Sequence, residues 1–210
     1  MHQESNLLTI MGCCQARSLT DEQDGGPLQR KGEGAQRNYL PKFSVDGSSS
    51  QSLRGLPDER PAFTSRQKKI VRESWEIIQK DISKVGVIMF IGLFETHPDV
   101  QDVFLPFKGQ SLDDLKQNRK LKGHVLKVMG MVEKCLARID EPDKLESLLH
   151  DLGAKHLLYN TKVDYIDLIG PQFICAVQPA MGDAWTTEVE SAWADLFRLI
   201  THIMKEAMVF

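Results

Sequence analysis

The chain has 210 residues, enough for one ordinary domain with a further segment and too few for two full domains. Apolar residues make up 41% and charged residues 26%, which supports a globular core, yet the mean hydropathy of −0.29 shows that something polar dilutes it. With 26 basic against 29 acidic residues there is no basic surplus to attract nucleic acid. The longest apolar run, Val85 to Phe94, is ten residues, half of the roughly 20 that a bilayer crossing needs.

Residues 1–62 hold seven of the 15 glycines and none of the three tryptophans. Stretches such as DEQDGGPLQRKGEGAQR and SVDGSSSQS bury too little apolar surface to offset the entropy of ordering them, so a disordered tail is expected there. From residue 63 to 210 apolar residues recur at three- and four-residue steps, which predicts an all-α domain of six to eight helices. The first helix starts near Thr64 or Ser65 and turns Val71, Trp75, Ile78 and Ile82 to one face. The second runs from about Asp81 to Thr96 and stops at His97-Pro98, because a residue before proline is pushed out of the helical region. A turn-like segment, PDVQDVFLPFKG, follows and is closed by Pro106 and Gly109. One long helix is expected from about Asp114 to Arg138, with Leu121, Val125, Val128, Val132 and Leu136 as its buried stripe.

Pro142 announces the next helix, with Leu145, Leu148, Leu149 and Leu152 inward. Two more run from about Asp164 to Pro179, where Pro171 is expected to remove a backbone bond and kink the helix, and from Thr187 to the C-terminus. The last opens on a Thr187…Glu190 capping box and turns Trp193, Leu196, Phe197, Ile200 and Met204 inward. The four cysteines are an adjacent pair, Cys13 and Cys14, and the separate Cys135 and Cys175. They match neither zinc-finger spacing nor a disulfide framework. A reducing, cytosol-facing setting without a secretory leader is expected.

Two of the six histidines fall on apolar faces. His124 lies between Leu121 and Val128 on the long helix, and His156 continues the step Leu148, Leu152 on the next. Each alone reads as a core histidine satisfied by its neighbours. Together, on successive helices, they also suit a metal approached from two sides. Zinc would want three or four protein ligands, and no third joins them at tight spacing. A flat macrocycle with two axial histidines would satisfy both.

The stretch from about Phe63 to Ala207 resembles the globin family, in its neuroglobin-like form. FETHPDVQDVF resembles the turn in which a proline, here Pro98, is followed six residues later by a phenylalanine, Phe104. GHVLKVM resembles the distal helix and LGAKHLLYN the proximal segment. The resemblance implies a three-on-three helical sandwich around haem b, with His156 as proximal and His124 as distal iron ligand. It further implies that Phe104 packs flat on the haem, that Val128 lines the distal side, that Lys127 meets a propionate, and that Phe90 overhangs the pocket.

MGCC, Met11 to Cys14, resembles an acylation signal, and such a tail ahead of this domain resembles the vertebrate globin X group. That implies lipid on Gly12, Cys13 and Cys14 and attachment to the inner leaflet of the plasma membrane. Gly12 is exposed for myristate only if translation starts at Met11 or the leader is removed, and Ala16 stands where Ser or Thr is usual. Without acylation a cytoplasmic protein is expected. The function implied is a six-coordinate haem protein that reversibly binds dioxygen, nitric oxide and carbon monoxide. Its role would be redox, oxygen-sensing or electron-transfer work with an unidentified reductase. The alternative implied is enzymatic: reduction of nitrite, or dioxygenation of nitric oxide.

Overall fold

A computed structural model describes residues 62–209. Among these residues eight α-helices occur: α1 (Ser65–Ile78), α2 (Ile82–Thr96), α3 (Pro98–Val103), α4 (Leu112–Gln117), α5 (Arg119–Arg138), α6 (Pro142–Leu158), α7 (Ile169–Met181) and α8 (Thr187–Glu206). Short 3₁₀ turns at Gln79–Asp81, Val163–Leu168 and Gly182–Ala184 join some of them. None of the described helices is long and apolar enough to cross a membrane. The layers are α1, α5 and α6 on one side and α2, α7 and α8 on the other, with α2 crossing α5 and α6 lying on α8. This is the expected three-on-three sandwich.

Local chemistry starts and stops these helices. Thr64 opens α1 with a full capping box: its hydroxyl accepts the Gln67 N–H and the Gln67 side chain accepts the Thr64 N–H. His97 closes α2, with Pro98 at the first position of α3, as proline requires. Three expectations are corrected. The helix expected from Asp114 to Arg138 is two helices, broken at Asn118. That residue takes an extended conformation, and its side-chain oxygen accepts the N–H groups of Lys120 at 2.8 Å and Leu121 at 3.2 Å. Asparagine is a strong N-cap and restarts the helix.

Pro171 does not kink the penultimate helix, because the first five residues expected for it, 164–168, belong to the 3₁₀ turn. Pro171 therefore sits in the first turn of α7, where the missing N–H would have had no helical partner. The last helix is capped by Thr186 rather than Thr187: the Thr186 hydroxyl accepts the Val189 N–H at 3.2 Å, and Glu190 accepts instead from the Trp185 indole.

The core is aromatic at the junction of α1, α7 and α8. Trp193 is fully buried, 4.8 Å from Phe173 by ring centroids. Its indole N–H donates to Ser74 Oγ at 2.9 Å, and Ser74 in turn donates to the Ile70 carbonyl. Two glycines fix the helix crossings that frame the site. A Cβ on Gly86 of α2 would lie 2.2 Å from Val125 Cγ1 of α5, and one on Gly153 of α6 would lie 2.2 Å from the Met204 carbonyl oxygen of α8. The second contact is with backbone, which cannot rotate away. Gly153→Ala is therefore expected to lower stability by about 1–3 kcal/mol, the usual cost of overpacking, checked by the urea midpoint.

Candidate functional site

α5 and α6 carry the two inward histidines, His124 and His156, and the slot is the space between these helices. Their facing side chains are less buried than the core: Val128 and Met131 on α5, and Leu148 and Leu152 on α6, are only partly covered, as are Phe104, Val163 and Ile169 around them. The neighbouring stripe of α5, Leu121, Val125, Met129 and Val132, is closed into the core. The sequence placed Val128 among the fully buried stripe. It is only partly buried, one step around the helix from the closed stripe.

His124 projects from α5 into an aromatic box. Phe90 stands edge-on to it at 5.1 Å, Phe104 at 5.4 Å and Phe107 at 6.4 Å. Phe90 reaches it because α2 and α5 cross closely at Gly86. Phe104 caps α3, and the turn that follows is pinned by Gln101, whose amide donates to the carbonyls of Phe107 at 2.8 Å and Gln110 at 3.0 Å. Phe107 is buried and stacks on Phe104 at 6.0 Å and 22°. Sequence reading passed over Phe107; the Phe-Leu-Pro-Phe run was the available signal, since a tight turn brings both rings to one side.

Burial in this box pushes the His124 imidazole below the ordinary histidine range, with the nearby Lys127 charge and then that of His156 adding to the effect. The two histidines are thus within electrostatic reach of one another across the slot. The folded slot refuses a proton that the unfolded chain accepts near pH ~6.5. That contribution to stability is whole above this range and falls away as pH drops through it. In haem-free protein, His124→Leu is expected to flatten the loss of urea midpoint between about pH 7.5 and about pH 5.5, relative to the parent chain.

His156 is half-buried on the last turn of α6, and its Nδ1 lies 2.8 Å from the Leu152 carbonyl oxygen, one turn back. A carbonyl only accepts, so Nδ1 carries the proton and the Nε2 lone pair is left for a ligand role. Lys127 is exposed beside His124, without a carboxylate partner among the described residues. Tyr165 donates to Asp99 Oδ2 at 2.5 Å and so ties the turn after α6 to α3. His150 and His202 face Glu206 at 3.2 and 3.3 Å, away from the slot. Cys135 and Cys175 are both buried, no disulfide joins them, and burial pushes the Cys135 thiol up to about 12. Gly12, Cys13 and Cys14 lie outside the described residues.

The family model described as Globin matches residues 88–204. Neuroglobin-1 of Oncorhynchus mykiss is 28% identical over 143 residues, 68% of this chain and 90% of that protein. An anaerobic nitrite reductase of Gossypium hirsutum is 29% identical over 152 residues, 70% and 93% of the two chains. Among solved structures, a hexacoordinated heme protein from an anhydrobiotic tardigrade aligns with a TM-score of 0.67 at 23% identity, covering 71% of this chain and 97% of that one. The chain belongs to the globin family and is neuroglobin-like. Its cofactor is haem b, and it binds gases.

The residues present fit that group. Among the described residues no cluster of three or more His, Cys, Asp or Glu could hold a bare metal ion. One imidazole has its tautomer fixed, the other is kept neutral, and the slot between them has apolar, incompletely covered walls.

Proposed function

We propose that this globin is six-coordinate, with His156 the proximal and His124 the distal axial ligand, and that it works in redox or oxygen-sensing chemistry rather than bulk oxygen carriage. The observation that carries the reading is the pairing of a proton-bearing Nδ1 on His156 with a desolvated, neutral His124 across one slot. When bound, the haem supplies a redox-active iron that accepts histidine or a small gas. His156 holds it from α6. His124 closes the other side, so an incoming gas binds only during the fraction of time that His124 has left, and its apparent affinity falls by that fraction. Once displaced, the same imidazole is placed to donate a hydrogen bond into the slot.

Phe90, Phe104 and Phe107 keep water from His124, and Val128 narrows the space beside it. The Phe104 ring stands edge-on to the His124 imidazole at 76°, and would supply an apolar wall for the cofactor. Lys127, exposed and without an internal partner, is the residue to meet a propionate. Two histidine ligands in both oxidation states keep reorganisation small, which favours electron transfer with a reductase. The MGCC segment supports attachment of this activity to the inner face of the plasma membrane through Gly12, Cys13 and Cys14. Membrane fractionation of a Cys13→Ser, Cys14→Ser chain tests that part.

A second reading is favoured by the nitrite reductase relatives from Gossypium hirsutum and Physcomitrium patens: the ferrous protein reduces nitrite to nitric oxide, taking one electron and two protons and releasing water. Turnover of nitrite with a continuing supply of reductant, beyond one equivalent, separates this from stoichiometric oxidation. The test of the main reading is the visible spectrum of the haem-loaded protein under dithionite without oxygen. Sharp, split bands of a low-spin ferrous haem are expected; a single broad band would mean five-coordination and leave His124 as a hydrogen-bond donor only.

A further inference from the structure

α5 is charged unlike the rest of the domain. It carries Arg119, Lys120, Lys122, Lys127, Lys134 and Arg138 against one acid, Glu133, while the remainder of residues 62–209 has an excess of acid. These cations are also not neutralised internally. Elsewhere Arg66 pairs with Glu188, Lys68 and Arg72 with Asp140, and Lys205 with Asp167. Among the described residues no carboxylate pairs with a cation of α5.

Their placement is ordered. Lys120, Lys127 and Lys134 recur every seven residues, two helical turns, so they form one line along the helix, with Arg138 at its end. The three lysines are exposed. The line lies beside the face that carries His124, Val128 and Met131, and therefore borders the slot over a length of about 21 Å. A propionate accounts for Lys127 and not for the others.

A parallel line of small residues runs along the outer side. Gly123 and Gly130 are also seven apart, and a Cβ at either would meet nothing within 4 Å. Glycine weakens a helix interior, and here no neighbour inside the domain requires it. The combination is a flat strip open to close approach, edged by unpaired cations at the mouth of the haem slot. A helix that inserts into a bilayer interface would carry apolar side chains on the same line. The exposed apolar residue of this helix, Leu126, lies on the far side of the glycine strip.

We propose that the outer face of α5, formed by Lys120, Lys127 and Lys134 with Gly123 and Gly130 beside them, docks an acidic electron-donor protein. This rests on the redox reading above. One electron leaves the reduced donor and arrives at the ferric haem, with no atom or proton transferred. Charge complementarity sets the encounter, so the effect is carried in the association rate and its dependence on salt.

The test uses the haem-loaded full chain and a reduced plant-type [2Fe–2S] ferredoxin, a small acidic donor of low potential. Stopped-flow reduction of the ferric protein is expected to slow by about tenfold or more between low and physiological salt. Lys120→Glu with Lys134→Glu should slow reduction at low salt by about tenfold or more and flatten the salt dependence. The same reversals at Lys69 and Lys80, exposed but off this face, should have little effect.

Gly130→Leu, which alters no charge, should also slow the reaction. Oxidised ferredoxin should shift the amide resonances of Gly123 and Gly130, a readout of contact independent of electron flow. Dithionite reduction and the six-coordinate bands are read on the same samples. Lost bands would mark failure of the haem reading. Retained bands, with α5 reversals no different from the controls, would overturn the docking surface. So would reversals that abolish co-sedimentation with phosphatidylserine vesicles while leaving ferredoxin reduction unchanged, which would assign the face to lipid.

Discussion

His156→Ala is expected to lose haem faster than any other single substitution in this chain, with a dissociation rate raised by about 100-fold, the upper end of what removing a metal ligand's support costs. The reason lies in the asymmetry of the two imidazoles. His156 is held by its own helix through the bond to the Leu152 carbonyl, which fixes its tautomer and leaves the Nε2 lone pair free for a ligand role. His124 is held only by the edges of three phenylalanine rings. Haem transfer to an excess of a high-affinity acceptor apoprotein measures the rate. A His156→Ala chain that kept haem as long as His124→Leu does would remove His156 as the principal ligand.

The second large effect belongs to His124→Leu. Haem should stay bound, the split ferrous bands should collapse to one broad band, and carbon monoxide should bind without waiting for a side chain to leave. If the closed form prevails over the open one by about 100 to 1, apparent affinity rises by about 100-fold on removing the gate. Oxygen is a finer probe. Losing the competitor raises its affinity, while losing the hydrogen-bond donor shortens its residence by about 1–3 kcal/mol of lost interaction. Flash photolysis with both gases separates the contributions. Retention of the split bands in His124→Leu would show that another group is the sixth ligand.

Periodicity was enough to place α1, α2, α6 and α8 within a few residues, because each has a strong apolar face and a chemically plain boundary, such as His97-Pro98 or Pro142. It missed the break at Asn118 because α4 offers only Leu112 and Leu115, too few apolar residues to reveal a change of phase, and the interruption is made by one amide side chain taking two backbone donors. It missed the 3₁₀ turn before α7 for a similar reason, since hydrophobic spacing at three residues suits either helix. The pair His124 and His156 was legible as two inward histidines, although spacing alone left them divided between core and ligand roles.

What sequence could not supply was the difference between facing a closed core and facing a slot, which depends on how far α5 and α6 diverge. The aromatic box was half legible: Phe90 and Phe104 came from resemblance, and Phe107 needed the turn geometry. The cationic line on α5 was present in the sequence throughout. A whole-chain charge near balance hid it, because acids elsewhere offset a charge that is uneven in space.

The seat of α6 on α8 has a mechanical meaning. At Gly153 the two helices meet main chain to main chain, against the Met204 carbonyl, with no side chain between them to act as a cushion. His156 is three residues further along the same rigid helix, tied to it by its own ring. Protein interiors compress little, so a displacement of the His156 imidazole along α6 would not be absorbed at this crossing; it would reach the C-terminal helix as a push on its backbone.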